Sequence, residues 1–270
     1  SLARGEFDRA WDDYEARKRM PESRKAADLP WPDWDGSSLA GKTIYMSSVT
    51  DPYQPVERRL GITRRCLEVL AEFRNPVVII TKNHLVTRDI DHLEELARHQ
   101  AARVFLSVTT LDATLANRME PRASTPDLRL DAVAQLAAAG IPTGVMVAPI
   151  IPAITDHEIP SILKAARAAG ARWAGYVVLR LPWAVAPLVE KWLEEHFPDR
   201  KEKVLNRVRE LRNGKLYDAR WNVRGRGEGI FADQIGALFE ASARKLGFNE
   251  EEIELSTSSF RRRVAQGSLF

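Results

Sequence analysis

Cysteine is almost absent from this chain: Cys66 is the one thiol among 270 residues. That excludes an intrachain disulfide and any metal site built from several cysteines of the chain itself. No apolar run approaches the roughly 18 residues a membrane helix needs, and no signal-peptide pattern opens the sequence. A soluble, cytoplasmic protein with no membrane partner is expected. Neither GxGxxG nor GxxxxGK[ST] occurs, which argues against a dinucleotide dehydrogenase and a P-loop enzyme. Charge of one sign is scarce too. The 40 basic and 37 acidic side chains leave +3, which permits nucleic-acid contact without arguing for it. The five histidines show no ligand spacing, so no metal is assigned to residues of this chain.

What is present is a 44% hydrophobic content, enough for one large α/β domain or a domain with an appendage. Five short β-branched runs, at 42–46, 76–80, 103–106, 142–147 and 174–179, each give way to a helical pattern. Their starts lie roughly 27 to 40 residues apart, as in β-α units feeding a parallel sheet. Helices are expected over about 57–73, 89–100, 111–117, 127–139, 157–169, 183–196, 199–212 and 228–246. Five units are too few for an eight-stranded barrel. They suit an α/β partial (β/α)6 TIM-like barrel without its first strand, with an open doubly wound sheet as the alternative. The organisation reads as an N-terminal helix and proline-rich loop (1–41), the partial barrel (42–182), and a C-terminal helical region and tail (183–270). Cys66, in a stretch with Leu60, Leu67, Leu70 and Phe73, reads as a small buried hydrophobe.

Ligands in such sheets bind at the carboxyl ends of the strands, and the strand exits here are polar. Ser47, Ser48, Thr50 and Asp51 follow the first run and can grip an amino group or ribose hydroxyls, although Asp51 also suits a turn or cap. Lys82 closes the second run and can pair with a ligand carboxylate or simply face solvent. Ser107 leaves the third with Thr109 and Thr110. Arg118, Glu120 and Arg122, with Arg129 nearby, can hold an anionic substrate bidentately or be surface ion pairs. Arg180 follows a wholly apolar strand, where it either meets an anion or snorkels. Arg224 and Arg226 sit in a loop of arginine, glycine and Trp221 that suits nucleic acid or phosphate as well as a solvated linker. The tail ends in Gln266, Leu269 and Phe270 after a basic run, and can dock as a linear peptide or be a plain terminus.

These residues resemble the radical S-adenosylmethionine superfamily, and within it the spore photoproduct lyase-like branch. The match is carried by VTDPYQPVERRLGITRRCLEVL (49–70), VVIITKNHLVTRD (77–89), VFLSVTTLD (104–112), RMEPRAS (118–124), AGIPTGVMVAPIIP (139–152), AGYVVLRLP (174–182) and RGRGEG (224–229). The resemblance implies S-adenosylmethionine bound across the strand ends, and a 4Fe–4S cluster on a CxxxCxxC loop after the first strand. It further implies a 5′-deoxyadenosyl radical that abstracts hydrogen from a substrate, possible substrates including a nucleobase in DNA, and an electron donor such as flavodoxin or ferredoxin. By position, Ser47, Ser48, Thr50 and Asp51 would meet the methionyl amino group, and Lys82 and Ser107 the carboxylate and ribose. Val147, Ala148, Leu179, Arg180 and Leu181 would flank adenine. Lyases of this branch use a cysteine near the second-strand end as hydrogen donor; the segment here has no thiol, and Tyr53 is the candidate replacement. CxxxCxxC does not occur, and the reading adopted is that the cluster segment and first strand lie upstream of Ser1. A barrel that binds a nucleotide-like ligand or DNA without radical chemistry is the alternative. The last five residues resemble the QLxLF peptide that binds the bacterial sliding clamp, with Gly267 in place of leucine.

Overall fold

All five β-branched runs become strands: β1 (Ile44–Met46), β2 (Val77–Thr81), β3 (Ala102–Val108), β4 (Thr143–Ile150) and β5 (Trp173–Val178). The computed structural model describes residues 41–47, 50–252 and 254–261. The expected N-terminal helix, Ser48 and the tail residues Gln266, Leu269 and Phe270 lie outside the described residues. The strands are parallel and stand in the sheet in chain order. Right-handed crossovers between consecutive parallel strands put every connecting helix on the same side. A doubly wound sheet needs a reversal of strand order, and none occurs among the described strands. The architecture is therefore the α/β partial TIM-like barrel.

Connecting the strands are α1 (Glu57–Leu60), α2 (Ile62–Phe73), α3 (Ile90–Ala97), α4 (Ala113–Met119), α5 (Pro126–Ala138) and α6 (Ile159–Ala168). The single helix expected over 57–73 is broken at Gly61, whose φ of 60° closes α1 with a hydrogen bond from its N–H to the Glu57 carbonyl. The break re-phases the helix beyond it. Thr63 and Leu67 face inward on α2, while Leu60 is exposed. Cys66, expected inside, is exposed as well.

The two faces of the sheet differ. Val77, Ile79, Val104, Leu106, Val145 and Val178 are fully buried in the main core. On the opposite face the register aligns Ile80, Phe105 and Gly144 in one row, and Ser107, Met146 and Gly175 in the next. Ile80, Phe105, Met146 and Gly175 are only half-buried. Glycine gives this inner face its room. A Cβ on Gly144 would stand 2.3 Å from the Phe105 ring and 2.8 Å from the Trp173 carbonyl oxygen.

After β5 come α7 (Val185–His196), α8 (Lys201–Glu210), α9 (Trp221–Arg224) and α10 (Ile230–Lys245). Leu193 of α7 and Val204, Leu205 and Val208 of α8 join Leu115, Ile151, Leu179 and Leu181 in a second apolar cluster at the β4 and β5 exits. α10 places Ile235, Phe239 and Ala243 in the main core, with the Phe239 and Tyr176 rings 4.7 Å apart. Among the described residues no helix is long and apolar enough to cross a membrane.

Gly144→Ala is expected to cost about 1–3 kcal/mol in urea unfolding, because backbone as well as ring must move. Gly225→Ala, at φ −90° with open space around it, should stay within about 0.5 kcal/mol. Equal stability of the two variants would contradict the tight inner face.

Candidate functional site

Side chains tie the exits of β1, β2 and β3 together. Asp51, just past β1, accepts hydrogen bonds from the Tyr53 N–H (2.8 Å) and the Thr81 hydroxyl (2.7 Å) on Oδ1, and from the Lys82 N–H (2.8 Å) on Oδ2. Most of its acceptor capacity is thereby spent on the protein. The Lys82 ammonium pairs with Glu120, and the other Glu120 oxygen takes a hydrogen bond from Arg129 at 2.7 Å. Arg129 is 1% exposed. Its Nε donates to the Ser124 carbonyl (2.8 Å) and a terminal nitrogen to the Ser107 carbonyl (2.9 Å). Thr109 closes the group with bonds to the Ala148 carbonyl (3.0 Å) and to Glu120 (3.4 Å).

Burial alone would push the Glu120 carboxyl up, but Lys82 and Arg129 outweigh it and hold the group below the ordinary carboxylate range. Lys82 spends one of its three N–H bonds on Glu120 and keeps two for a ligand. Ser107 engages Arg129 only through its carbonyl, so that bond leaves the hydroxyl unspent.

The structure thus gathers Asp51, Lys82, Glu120, Ser107 and Ala148 into one bonded group. Ser47 stands beside it at the β1 exit with φ 140°, and exposed Thr50 accepts a bond from the Gln54 amide. Tyr53 is not brought to the mouth. It is fully buried in the core. Burial, with Asp89 beside it, pushes its pKa well above the ordinary phenol value. Val147 likewise points into the main core. Leu179 is bonded through its N–H to the Ile150 carbonyl, Leu181 is buried in the second cluster, and Arg180 is exposed. The arginines of the RMEPRAS segment separate: Arg118 lines a cleft beside α4, and Arg122 another beside Arg58 and Asn83. Arg224 ends α9 and Arg226 lies just past it, in a segment docked on β5 through the Val178 N–H and the Gly225 carbonyl (2.8 Å), with Arg226 over the Tyr176 ring at 5.2 Å.

Sequence reasoning missed Arg212. It is fully buried, and it donates to the carbonyls of Leu179 (3.3 Å), Leu211 (3.3 Å), Val223 (3.1 Å) and Arg224 (3.2 Å). Among the described residues no carboxylate pairs with it, and burial, then nearby Arg180, lowers its pKa. The missed signal was spacing: Arg212, just past the end of α8, continues the interval of Leu205 and Val208, and Arg129, Ala132, Val133 and Leu136 share one stripe of α5. Also missed was a brace behind Tyr53. Arg88 holds Glu57 (2.9 Å) and buried Asp89 (2.7 Å), and Arg64 reaches Asp89 (3.0 Å) and Asp91 (2.7 Å).

A parallel barrel segment with a polar group at its strand exits has the arrangement in which α/β scaffolds place ligands. The Radical SAM superfamily model matches residues 38–166, just under half of the chain, and this span is similar to that superfamily. An uncharacterized protein of Mycobacterium tuberculosis strain H37Rv is 31% identical over 172 residues, 63% of this chain and 49% of that protein. A protein of Pseudomonas phage M6 named radical SAM Nalpha-GlyT isomerase is 28% identical over 122 residues, 45% of this chain and 24% of that one. A spore photoproduct lyase structure with a dinucleoside spore photoproduct superposes with a TM-score of 0.54 at 15% identity, covering 76% of this chain and 59% of that chain. That likeness is one of fold. The chain spans about half the length of the Mycobacterium relative.

The superfamily implies S-adenosylmethionine and a 4Fe–4S cluster. The bonded group fits the first, since it leaves ammonium donors and a hydroxyl at the strand ends. The second does not fit. Among the described residues no cluster of His, Cys, Asp and Glu could hold a metal, and Cys66 stands alone and exposed on α2.

Glu120→Gln leaves Lys82 and Arg129 without their shared anion, and a loss of about 2–4 kcal/mol is expected in denaturant unfolding at neutral pH. Because the folded pKa of Glu120 is depressed, its contribution is present above the unfolded value of about 4.3 and fades as pH falls through the folded value. Stability of Glu120→Gln should therefore fall less steeply than that of the unmodified chain below about pH 4.3. Parallel acid limbs would remove Glu120 from the linkage.

Proposed function

We propose that this chain is the S-adenosylmethionine-binding barrel of a radical SAM enzyme. The observation that carries this reading is the bonded group of Asp51, Lys82, Glu120, Arg129 and Ser107 at the exits of β1 to β3, inside the span matched by the superfamily. The two spare N–H bonds of Lys82 would receive the cofactor carboxylate, and the Ser107 hydroxyl a ribose oxygen. Ser47, Ser48 and Thr50 would meet the amino group, close in sequence to Asp51, which is tied to β2. Ala148 and the backbone at Leu179 to Leu181 would flank adenine, with Val147 supporting from behind.

Bound there, S-adenosylmethionine would be the source of a carbon-centred radical for hydrogen abstraction. One cysteine is too few for a cluster, so that chemistry requires cysteines from outside these 270 residues, and an electron from a flavodoxin or ferredoxin. A nucleobase substrate is proposed on three supports: the name of the phage relative, the fold shared with spore photoproduct lyase, and Arg180, Arg224 and Arg226 about the β5 exit. The single cysteine favours a second reading, in which the barrel holds a nucleotide-like ligand without radical chemistry.

Calorimetry of S-adenosylmethionine against the chain should show saturable binding, weakened about tenfold or more by Lys82→Met and by Ser107→Ala. Affinity unchanged in both variants would overturn the assignment of the site. For the chemistry, a reading frame that supplies CxxxCxxC should yield 5′-deoxyadenosine from reduced, anaerobic protein. A frame that lacks those cysteines would leave only the second reading.

A further inference from the structure

Outside the strand-exit group, a cleft of about 610 Å³ opens between α4, the start of α6 and the corner at 197–200. Its volume lies in the range of small-molecule sites. The floor is apolar, with Leu115 and Ile154 at 8% and 3% exposure. The rim carries two acids and two arginines, and both acids already serve the protein, Asp112 through one oxygen and Glu158 through both. Asp112 caps α4, accepting the N–H groups of Thr114 (2.7 Å) and Leu115 (3.1 Å). Glu158 accepts the Thr110 hydroxyl (2.6 Å) and the Leu111 N–H (2.7 Å), one on each oxygen.

The cations are not spent. Among the described residues no carboxylate pairs with Arg118 or Arg200, and the guanidinium of Arg200 has one long bond, 3.4 Å to the Ala153 carbonyl. Two forks of N–H donors therefore border an apolar floor whose carboxylates already serve the protein's own N–H and O–H groups. The cleft is also separate from the strand-exit group. Consecutive residues bond to opposite sides, Thr109 to Ala148 and Glu120, Thr110 to Glu158.

We propose that this cleft binds a phosphate monoester of nucleotide size, the phosphate held by Arg118 and Arg200 and the apolar body resting on Leu115 and Ile154. A dianion matches two guanidiniums in charge and in bidentate geometry. The site stands independently of the radical reading, since its lining shares no residue with the strand-exit group.

The probe is uridine 5′-monophosphate, titrated calorimetrically into the 270-residue chain, with uridine and inorganic phosphate as separate arms. Saturable binding of the nucleotide is expected, with uridine and inorganic phosphate each at least about tenfold weaker. Arg118→Gln and Arg200→Gln should each cost about tenfold in affinity, and the double variant should abolish binding without changing thermal unfolding, because both side chains are exposed. Excess S-adenosylmethionine should not displace the nucleotide. The proposal is overturned by absent saturation, by full affinity in the double variant, by displacement by S-adenosylmethionine, or by inorganic phosphate binding as tightly as the nucleotide.

Discussion

One carboxylate shared by two cations organises the mouth of this barrel. Glu120 comes from the end of α4, Lys82 from the exit of β2 and Arg129 from the inward stripe of α5. No pair among the three would suffice. Without Glu120, Arg129 would be a buried charge facing only carbonyls, and Lys82 would lose the partner that draws it over the strand ends. Because Arg129 also holds the Ser107 and Ser124 carbonyls, the same ionic group fixes the height of the β3 exit relative to the β3–α5 connection. A buried ion group of this kind adds little net stability over an apolar substitute. What it provides is position: a lysine with N–H bonds to spare, held beside a serine hydroxyl.

That arrangement is useful only because the sheet leaves one face uncovered. Strands in chain order with right-handed crossovers send every helix to the same side, and the inner face keeps half-buried Phe105, Met146 and Ile80 beside Gly144 and Gly175. A flat, apolar body has space there, with the polar group at its rim. The C-terminal helices complete the enclosure from the β5 side, where α7 and α8 cover the exits of β4 and β5.

Much of this was readable from the residues. β-Branched runs at regular intervals gave all five strands, because a parallel strand covered by helices on one face and half-buried on the other carries apolar residues at successive positions. The positions of Asp51, Lys82 and Ser107 at strand exits were legible for the same reason. What those side chains bond to was not. Asp51 reads equally well as a ligand contact or a turn residue until the Thr81 hydroxyl and the Lys82 N–H are placed against it. Tyr53 looked like a site residue from its neighbours in sequence, but the turn at 51–55 sends it inward, into the core that also holds Leu67. Cys66 was misplaced because the inward stripe of α2 runs through Thr63 and Leu67, and its immediate neighbour in sequence is turned about 100° away from it. Arg129 and Arg212 lie on apolar stripes, where a charged residue is easily taken for a lapse in the pattern; it marks the need for carbonyl or carboxylate partners from distant parts of the chain.

Arg212 has a further effect. Its four carbonyl partners belong to the β5 exit, the end of α8 and α9, and among the described residues no carboxylate bonds to it directly. Exposed arginines offer a potential that swings with their rotamers and is damped by dissolved salt. A guanidinium sealed in the wall is far less subject to either. The barrel therefore has a fixed positive charge beneath β5, to which Arg180 adds and which Asp218 and Glu228 partly offset.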